Sequence, residues 1–315
     1  MEMLMSYLNR LAGSAGACAL VFLAASANAQ EADTLGGDGV FRFEGKVGAE
    51  YNSNVAVQDL DTNTGQGDWA ATFSGLVEAS GQPIDKLTLR GGYEFSQTVH
   101  DEFSAFDLTL HRGFAEVAYD FDFATLGVLG NVAQANLDGD SYLTFTQISP
   151  YMSKQFGDAL FVRLSYAATD KSFDGRPTRD ATSDTIAADA YFFLDGARRY
   201  IAIGGKAIEE DANSDELDFG GGSARIRFVQ RFDALDREMT FRAGAEYEQR
   251  NYDNTTPIIG TPREDKRAGV DVSLEAPISG NVFVEGSYRY GGYQSNLASA
   301  DYDEHVTSLK LGVKY

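Results

Sequence analysis

The sequence predicts an all-β fold, a transmembrane antiparallel β-barrel of about 14 strands, on the strength of three observations. Long segments alternate strictly between apolar and polar residues, the two-residue period of a strand with unlike faces. Such segments are longer than the ~5–6 residues usual in globular sheets and match the ~9–11 that a tilted membrane strand needs. Long polar stretches and tight turns alternate between them, as in outer-membrane barrels.

The first predicted strand, Val40 to Tyr51, shows the alternation most clearly. One face carries Phe41, Phe43, Val47, Ala49 and Tyr51, and the other carries Arg42, Glu44, Lys46 and Glu50. An apolar face and a charged face of this length suit lipid on one side and water on the other. The strand therefore predicts a barrel wall rather than one layer of a soluble sandwich.

The same alternation predicts the remaining strands, with two irregularities. Their apolar faces begin at Trp69, Leu87, Leu108, Ala124, Leu143, Leu160, Ile186, Ile201, Gly222, Met239, Ala268, Val282 and Thr307. Leu108 and Leu110 are out of phase with Ala115 and the residues that follow it, which predicts a β-bulge between His111 and Gly113. Pro150 weakens the prediction of a strand from Leu143 to Gln155 because proline cannot donate a ladder hydrogen bond.

The connections predict the orientation of the barrel. Long polar stretches run over residues 52–67, 99–105, 170–183, 209–216, 251–264 and 291–303, whereas turns such as 81–83, 120–122, 156–158 and 195–197 are short. Outer-membrane barrels place long loops outside the cell and short turns in the periplasm. An even number of strands then places both termini in the periplasm.

The last strand ends on an aromatic residue with its apolar face in phase. Thr307, Leu309, Leu311, Val313 and Tyr315 share that face. The segment resembles the C-terminal signal of bacterial outer-membrane β-barrels, most of which end in Phe and are recognised by the barrel-insertion machinery. The resemblance implies insertion into the outer membrane of a Gram-negative cell, with this machinery, membrane lipid and lipopolysaccharide as partners.

The N-terminus has the features of a secretory signal peptide. Arg10 precedes an apolar run over residues 15–25, and Ala27-Asn28-Ala29 is a small-residue cleavage site. We therefore predict a signal peptide over residues 1–29 with cleavage near Ala29, a short periplasmic lead over 30–39 and a barrel over 40–315. Cys18 is the only cysteine and lies in the predicted signal, which excludes disulfides, cysteine-ligated metal and a cysteine nucleophile in the mature chain.

The polar strand faces predict a charged lumen. The candidate lumen-lining residues are Arg90, Glu94, Arg163, Asp189, Lys206, Arg225, Arg227, Arg242, Glu246, Asp271, Glu275, Glu285 and Arg289. Opposed charges can set a transverse field in a water-filled constriction. Alternatively, they form a lattice of salt bridges that stiffens the wall, which is the interpretation we favour.

The sequence favours a protein that is not an enzyme, and it predicts no catalytic, cofactor-binding or metal-binding residues. His100-Asp101 in a loop is the best hydrolase candidate, but no further partner stands at a meaningful spacing. Acidic loop residues, among them Asp59 and Asp61, can share divalent cations with lipopolysaccharide phosphates. Because no EF-hand-like spacing occurs, we interpret them as solvated charges. The net charge of −21 disfavours nucleic acid as a partner.

Three short motifs resemble one known family. They are Gly48-Ala49-Glu50-Tyr51-Asn52-Ser53-Asn54-Val55, the pair Tyr293-Gln294-Ser295-Asn296-Leu297 and Tyr302-Asp303, and Arg263-Glu264-Asp265-Lys266-Arg267. Together with the strand layout, they resemble the C-terminal barrel of the surface lipoprotein assembly modifier family and related porins of exopolysaccharide loci. In that family, the barrel follows a periplasmic tetratricopeptide domain. Only residues 30–39 precede the first predicted strand here, so the resemblance implies a separate partner for substrate recognition.

The resemblance implies a transport function with more than one possible cargo. It favours a conduit for a surface lipoprotein, a polysaccharide or another surface-destined macromolecule, or a porin-like channel for small solutes. The alternative is a non-conducting structural or interaction barrel of the envelope. Whether the lumen is open or filled separates these functions.

Overall fold

The structure, a computed structural model, describes residues 40–315. The predicted signal peptide, its cleavage site near Ala29 and the lead over residues 30–39 lie outside the described residues. No helix within residues 40–315 is both long and apolar enough to cross a membrane.

Sixteen strands lie in the described part of the chain. In chain order they are β1 (Val40–Asn52), β2 (Ala56–Val57), β3 (Thr62–Asn63), β4 (Asp68–Ile84), β5 (Leu87–His100), β6 (Leu108–Asp120), β7 (Thr125–Leu137), β8 (Asp140–Phe156), β9 (Leu160–Phe173), β10 (Ala181–Asp195), β11 (Arg199–Ala212), β12 (Phe219–Ala234), β13 (Arg237–Thr256), β14 (Thr261–Ser279), β15 (Val282–Ser295) and β16 (Tyr302–Lys314). Strands β2 and β3 form a separate two-stranded hairpin in the connection between β1 and β4.

The other fourteen strands form one closed antiparallel barrel, which confirms the predicted fold class. Each strand pairs with its neighbours in the chain, and β1 pairs with β16 from Glu44↔Lys314 to Asn52↔Val306. Tyr315 extends this seam, since its backbone N–H donates to Phe43 O at 2.9 Å and its carbonyl accepts from Phe43 N at 2.9 Å. Closure removes the unpaired strand edges that would otherwise expose backbone groups to lipid.

The C-terminal seam gives a first testable prediction. We expect Tyr315→Ala to reduce the amount of folded barrel in the outer membrane, because the 85 % exposed ring lies at the end of the predicted insertion signal. The measurement is the fraction of protein that migrates differently on gels before and after boiling. Ile84→Ala, which removes another exposed apolar side chain (62 %), is the matched control. Equal folded fractions for the two variants would contradict the predicted signal.

The two faces of the wall differ as the alternation predicted. Apolar side chains such as Val77, Ile186 and Leu309 are exposed on the outer face. Charged side chains are buried on the inner face, among them Glu78, Arg163 and Glu285. Because ions are costly in hydrocarbon, the apolar outer face is the one suited to lipid, and the charged face encloses the interior.

The predicted bulge in β6 is wrong. Strand β6 pairs with β5 and β7 without a register shift, so Leu108 and Leu110 lie on the same inner face as Arg112 and Phe114. These two leucines pack inside the barrel around a buried cluster that includes Leu143 and Phe173. The apolar residues are therefore in phase with the charged inner face, because this part of the interior is filled by protein rather than by water.

The two ends of the barrel differ less in loop length than the sequence suggested. We call the end with residues 53–67 the long-loop end and the opposite end the short-turn end. Strands continue into the polar stretches, so that β13 reaches Thr256 and β14 begins at Thr261. The connection between β7 and β8 at the long-loop end is only Asp138 and Gly139. Residues 53–67 thus form much the longest connection, since the others at this end span seven residues or fewer.

Strand β8 contains Pro150 and is nonetheless continuous. Pro150 pairs with Val128 of β7, but the ladder with β9 passes from Ile148 directly to Tyr151. The missing proline N–H explains why pairing with β9 is interrupted at this position.

Candidate functional site in the barrel interior

The long first connection, residues 53–67, folds into the mouth of the barrel, and we call it the inward loop. Its side chains at Val55, Ala56 and Val57 are buried, at 2 %, 4 % and 8 % exposure. The hairpin β2–β3 forms its tip, with Ala56 opposite Asn63. Backbone hydrogen bonds from Val55 N to Gln66 O and from Thr64 N to Val55 O hold its base.

The inward loop reaches the opposite wall of the barrel. Val57 belongs to a buried cluster with Ala135, Tyr142, Leu143 and Phe173, which stand on β7, β8 and β9. Strand β9 is six places from β1 in the closed order of fourteen strands, which is almost halfway around. A loop that begins at β1 and packs on β9 therefore crosses the long-loop mouth.

A carboxylate in this loop connects two sides of the mouth. Asp61 accepts hydrogen bonds from Arg263 Nη2 of β14 at 2.7 Å and from Arg179 Nη2, in the connection between β9 and β10, at 2.8 Å. Arg179 also donates to the carbonyl of Asp59 at 2.8 Å, and Gln58 donates to the hydroxyl of Tyr293 at 2.5 Å. We call the Asp61–Arg179–Arg263 group the latch. The interpretation of Asp61 as a solvated loop charge is wrong, because its side chain is only 12 % exposed.

Burial and charge shift the pKa values of the two loop carboxyls in opposite directions. Burial raises the pKa of Asp61, but the hydrogen bonds and charges of Arg263 and Arg179 outweigh it and hold the pKa below the ordinary 3.8. Burial raises the pKa of Asp59 above 3.8, since the charges of Lys171, Arg250 and Arg267 offset it only in part and Glu210 adds to it. Because each carboxyl has a different pKa in the closed loop and in solvent, the free energy of loop closure depends on pH.

Acidification is expected first to favour the closed loop and then to release it. As the pH falls towards 3.8, Asp59 binds a proton more tightly in the closed loop than in an open one, which favours closure. Below 3.8, protonation of Asp61 through its lowered pKa removes the latch. Single-channel open probability measured from about pH 7 to pH 3 tests this. Asp59→Asn should lose the first phase and keep the second, and a steady rise of wild-type opening from pH 7 would contradict the assignment.

The three resemblance motifs converge at the base and anchor points of the inward loop. Asn52 donates to Glu304 at 3.1 Å, and Ser53 N donates to the carbonyl of His305 at 2.9 Å. Tyr293 stacks on Tyr302 at 4.5 Å between ring centroids. The remaining motif supplies the latch residue Arg263, which donates to Asp265, and Asp265 in turn accepts from Ser295 at 2.7 Å. Motifs from both ends of the chain therefore hold one structure.

The predicted lumen-lining residues all stand on the inner face, and most of them are in ion pairs along the wall. The pairs are Arg90 with Glu78 and Glu116, Glu94 with Arg112, Asp189 with Arg225, Lys206 with Glu248, Arg242 with Glu275 and Glu285, and Arg289 with Glu304. Each joins neighbouring strands or strands separated by one other. Arg163 stacks on Tyr151, with 3.6 Å from its guanidinium carbon to the ring centroid. These pairs run around the wall rather than across the interior.

Three further residues of the predicted set stand on β12, β13 and β14. Arg227 on β12 is exposed. Glu246 and Asp271 lean over glycines of the facing strands, because a Cβ added to Gly269 would lie 3.0 Å from Glu246 Cγ and one added to Gly244 would lie 3.0 Å from Asp271 Cγ. Glu246 and Asp271 are therefore half-buried along the wall of β13 and β14, and Arg227 is the exposed charge of the three.

Gly204 explains one pairing that spans an intervening strand. The Asp189–Arg225 bond, 2.6 Å long, passes directly over Gly204 of β11, where an added Cβ would meet the carboxylate of Asp189 and Arg225 Nε at 2.8 Å. We expect Gly204→Ala to displace this pair and to cost about 1–3 kcal/mol of stability, as overpacking does. The loss of stability is measured as the heating temperature at which the band of folded protein disappears from the gel.

Gly205→Ala is the matched control for this prediction. Its added methyl would face outwards and come no closer than 3.4 Å to the carbonyl oxygen of Ser223. A loss of stability as large for Gly205→Ala as for Gly204→Ala would contradict the role assigned to the Asp189–Arg225 pair.

The histidine chemistry considered from the sequence finds little support in the geometry. His100 Nδ1 lies 3.4 Å from Asp107 Oδ1, so its acidic neighbour is Asp107 and not Asp101. His111 and His305 each contact a tyrosine hydroxyl on the outer face, those of Tyr93 and Tyr288. No group of three or more His, Cys, Asp or Glu side chains in residues 40–315 is arranged to hold a metal ion.

The closed barrel with an apolar exterior and a charged interior defines the class of this protein: it is a porin-like outer-membrane β-barrel. The model of the family described as "Putative beta-barrel porin 2" matches residues 224–315, from the middle of β12 to the C-terminus. No curated protein sequence matches the chain. The resemblance to the surface lipoprotein assembly modifier family stays a prediction.

Solved structures share the fold at low sequence identity. An anion-selective porin from Comamonas acidovorans aligns with a TM-score of 0.52 and 8 % identity, over 88 % of this chain and 99 % of that chain. OmpT, an outer membrane protein of Vibrio cholerae, aligns with a TM-score of 0.50 and 13 % identity, over 90 % of this chain and 100 % of that chain. At these identities, the likeness describes the fold alone.

Proposed function

We propose that this protein is a pore for small hydrophilic solutes in the outer membrane, with the inward loop controlling its outer mouth. The proposed orientation places the long-loop end outside the cell and both termini in the periplasm. The observation that carries the proposal is the charged inner face, whose ion pairs run along the wall and whose Arg227 is exposed to the interior. A wall that is internally neutralised leaves room for water and solute in the centre.

The comparisons support a porin role over a macromolecular one. The family match over residues 224–315 and the shared fold of an anion-selective porin both favour a channel. Passage of a surface lipoprotein or a polysaccharide would require the inward loop and its latch to leave the mouth entirely. We therefore propose small solutes as the principal cargo and retain the macromolecular conduit as the secondary one.

A non-conducting envelope barrel is the second candidate function, and one specific observation favours it. The inward loop fills the mouth with a buried apolar cluster around Val57, which a permanently open pore would not need. A barrel of this kind would use its acidic outer loops as a binding surface. The loop can therefore be a permanent plug or a gate, and only permeation distinguishes them.

Swelling of liposomes tests the proposed pore. We expect liposomes that contain the purified barrel to swell in iso-osmotic arabinose. They should swell faster with the shortened variant, in which Asn-Gly replaces residues 57–62 at the tip of the inward loop. Raffinose, a larger neutral sugar, should enter more slowly. If neither the wild type nor the shortened variant admits arabinose faster than empty liposomes do, the pore is excluded and the structural barrel is the better description.

A further inference from the structure

A cluster of basic side chains lies on the wall beneath and beside the inward loop, and we call it the basic cluster. It consists of Lys171, Arg179, Lys206, Arg250, Arg263 and Arg267, which come from β9, the β9–β10 connection, β11, β13 and β14. The carboxylates of the wall beside it are Glu210, Glu248 and Asp265. The wall alone therefore leaves a surplus of positive charge at the mouth, which Asp59 and Asp61 of the inward loop reduce.

We propose that the basic cluster is the entry site for a small solute that bears carboxylates, and that Asp61 occupies in the closed loop the position that a carboxylate of the solute takes on binding. The proposal rests on the proposed pore function and names the solute class of that pore. Binding of such a solute displaces the Asp61 carboxylate and so opens the mouth.

The surroundings of Asp61 show how a carboxylate is held at this position. One oxygen accepts from Arg263 at 2.7 Å and the other from Arg179 at 2.8 Å. Each carboxylate oxygen therefore binds a different guanidinium group. Arg263 is fixed in place, since its side chain is 2 % exposed and it also binds Asp265 through two nitrogens at 2.8 Å. Guanidinium groups held in this way favour carboxylates because their planar donors match the two oxygens.

A small cavity continues from the latch to Asp59. Its volume is about 50 Å³, and Asp59, Lys171, Arg250 and Arg267 contribute to its lining. That space suits a few water molecules rather than a solute. A solute carboxylate that binds Arg179 and Arg263 must therefore displace Asp61, which makes this binding and the closed loop mutually exclusive.

Aromatic rings beside the cations supply an apolar part of the same site. The guanidinium carbon of Arg250 lies 4.8 Å from the ring centroid of Phe219, and that of Arg263 lies 4.7 Å from the ring centroid of Tyr252. Both rings line the cavity. The combination suits a compact organic anion with an apolar carbon skeleton better than an inorganic anion, because the ring faces offer apolar surface beside the cations.

The test compares succinate with 1,4-butanediol, a neutral molecule of the same chain length, at constant ionic strength. In planar bilayers, succinate added on the long-loop side is expected to raise the open probability of the wild type, and butanediol is expected to leave it unchanged. Asp61→Asn, which removes the latch carboxylate, should be open without succinate and should show no further opening. Equal effects of the two molecules on the wild type, or no effect of either, would overturn the proposal.

Binding measured by calorimetry in detergent provides a second readout. In the shortened variant, residues 57–62 are replaced by Asn-Gly, so that the base of the hairpin is kept and both loop carboxylates are lost. Because the closed loop competes with the ligand, succinate should bind this variant at least about tenfold more tightly than it binds the wild type. Equal affinity, or none in either protein, would refute competition. If the shortened variant conducts and succinate does not bind, the pore stands and this inference fails; if it does not conduct, the pore itself fails.

Discussion

Replacing residues 57–62 with Asn-Gly is expected to change the barrel from a mostly closed state to a continuously conducting one. The replacement keeps the hydrogen bonds of Val55 with Thr64 and Gln66 and supplies a two-residue hairpin turn after Ala56. It removes the packing of Val57 on the opposite wall and the latch of Asp61. Since the proposed pore is open to water once the loop no longer crosses its mouth, we expect roughly a tenfold increase in mean current.

The matched control shortens a loop that does not enter the barrel. Residues 257–260 connect β13 to β14 at the same end, and Ile258 in this loop is 81 % exposed. Replacing these four residues with Asn-Gly should leave the current unchanged. A similar increase for both variants would show that shortening any loop perturbs the barrel, and an unchanged current in the 57–62 variant would show that the inward loop does not close the mouth.

Asp61→Asn is expected to have the second-largest effect, by breaking the latch. The substitution keeps the size of the side chain but leaves Arg263, 2 % exposed, without one of its carboxylate partners. Removing one member of a buried ion pair costs roughly 3–5 kcal/mol. Because Arg179 is 26 % exposed and water can solvate it, we expect a cost at the lower end of this range. About 3 kcal/mol corresponds to roughly a hundredfold shift towards the open loop. Single-channel open probability measures this shift.

The control for the latch is another loop aspartate at the same end of the barrel. Asp138 is exposed and has a positive φ of 53°, a conformation that asparagine also adopts readily. Asp138→Asn removes the same charge and should leave gating unchanged. If both substitutions change the open probability equally, the effect comes from the net charge of the mouth and not from the contacts of Asp61 with Arg179 and Arg263.

The wall of the barrel could be predicted from the sequence because lipid and water impose opposite demands on adjacent residues. Along β1, Phe41 and Phe43 face outwards while Arg42 and Glu44 face inwards, and this contrast is visible in the sequence alone. The prediction failed at β6 for an instructive reason. The apolar character of Leu108 and Leu110 predicts that they face lipid, but they pack inside the mouth around the cluster that includes Val57.

The inward loop could not be predicted, because its identity lies in contacts between distant segments. Residues 53–67 are polar and rich in turn-forming residues, so they resemble any solvated loop. The partners of Asp61 are 118 and 202 positions away in the chain, and no local pattern connects them. The resemblance motifs contain the residues that anchor the loop, Asn52, Arg263 and Tyr293. They do not indicate that these residues come together in the fold.

The pairing of the interior charges was predictable in kind and not in detail. A lattice of salt bridges was the favoured interpretation, and pairs such as Arg242 with Glu275 are consistent with it. Which residues pair depends on register and on close approach, as for Asp189 and Arg225 across Gly204. The exposure of Arg227 depends equally on its neighbours and could not be inferred from its position on β12.

Chemical modification of single cysteines in the shortened variant tests the water-filled interior most directly. Cys18, the only native cysteine, lies in the predicted signal peptide, so each introduced thiol is unique in the mature chain. We expect a charged methanethiosulfonate reagent to reduce the current stepwise when Arg227→Cys places the thiol on the inner face. It should have no effect with Ile226→Cys, because the side chain of Ile226, next to Arg227 in the chain, faces outwards. An unchanged current for Arg227→Cys, or equal block at both positions, would contradict a solute pore lined by the charged face.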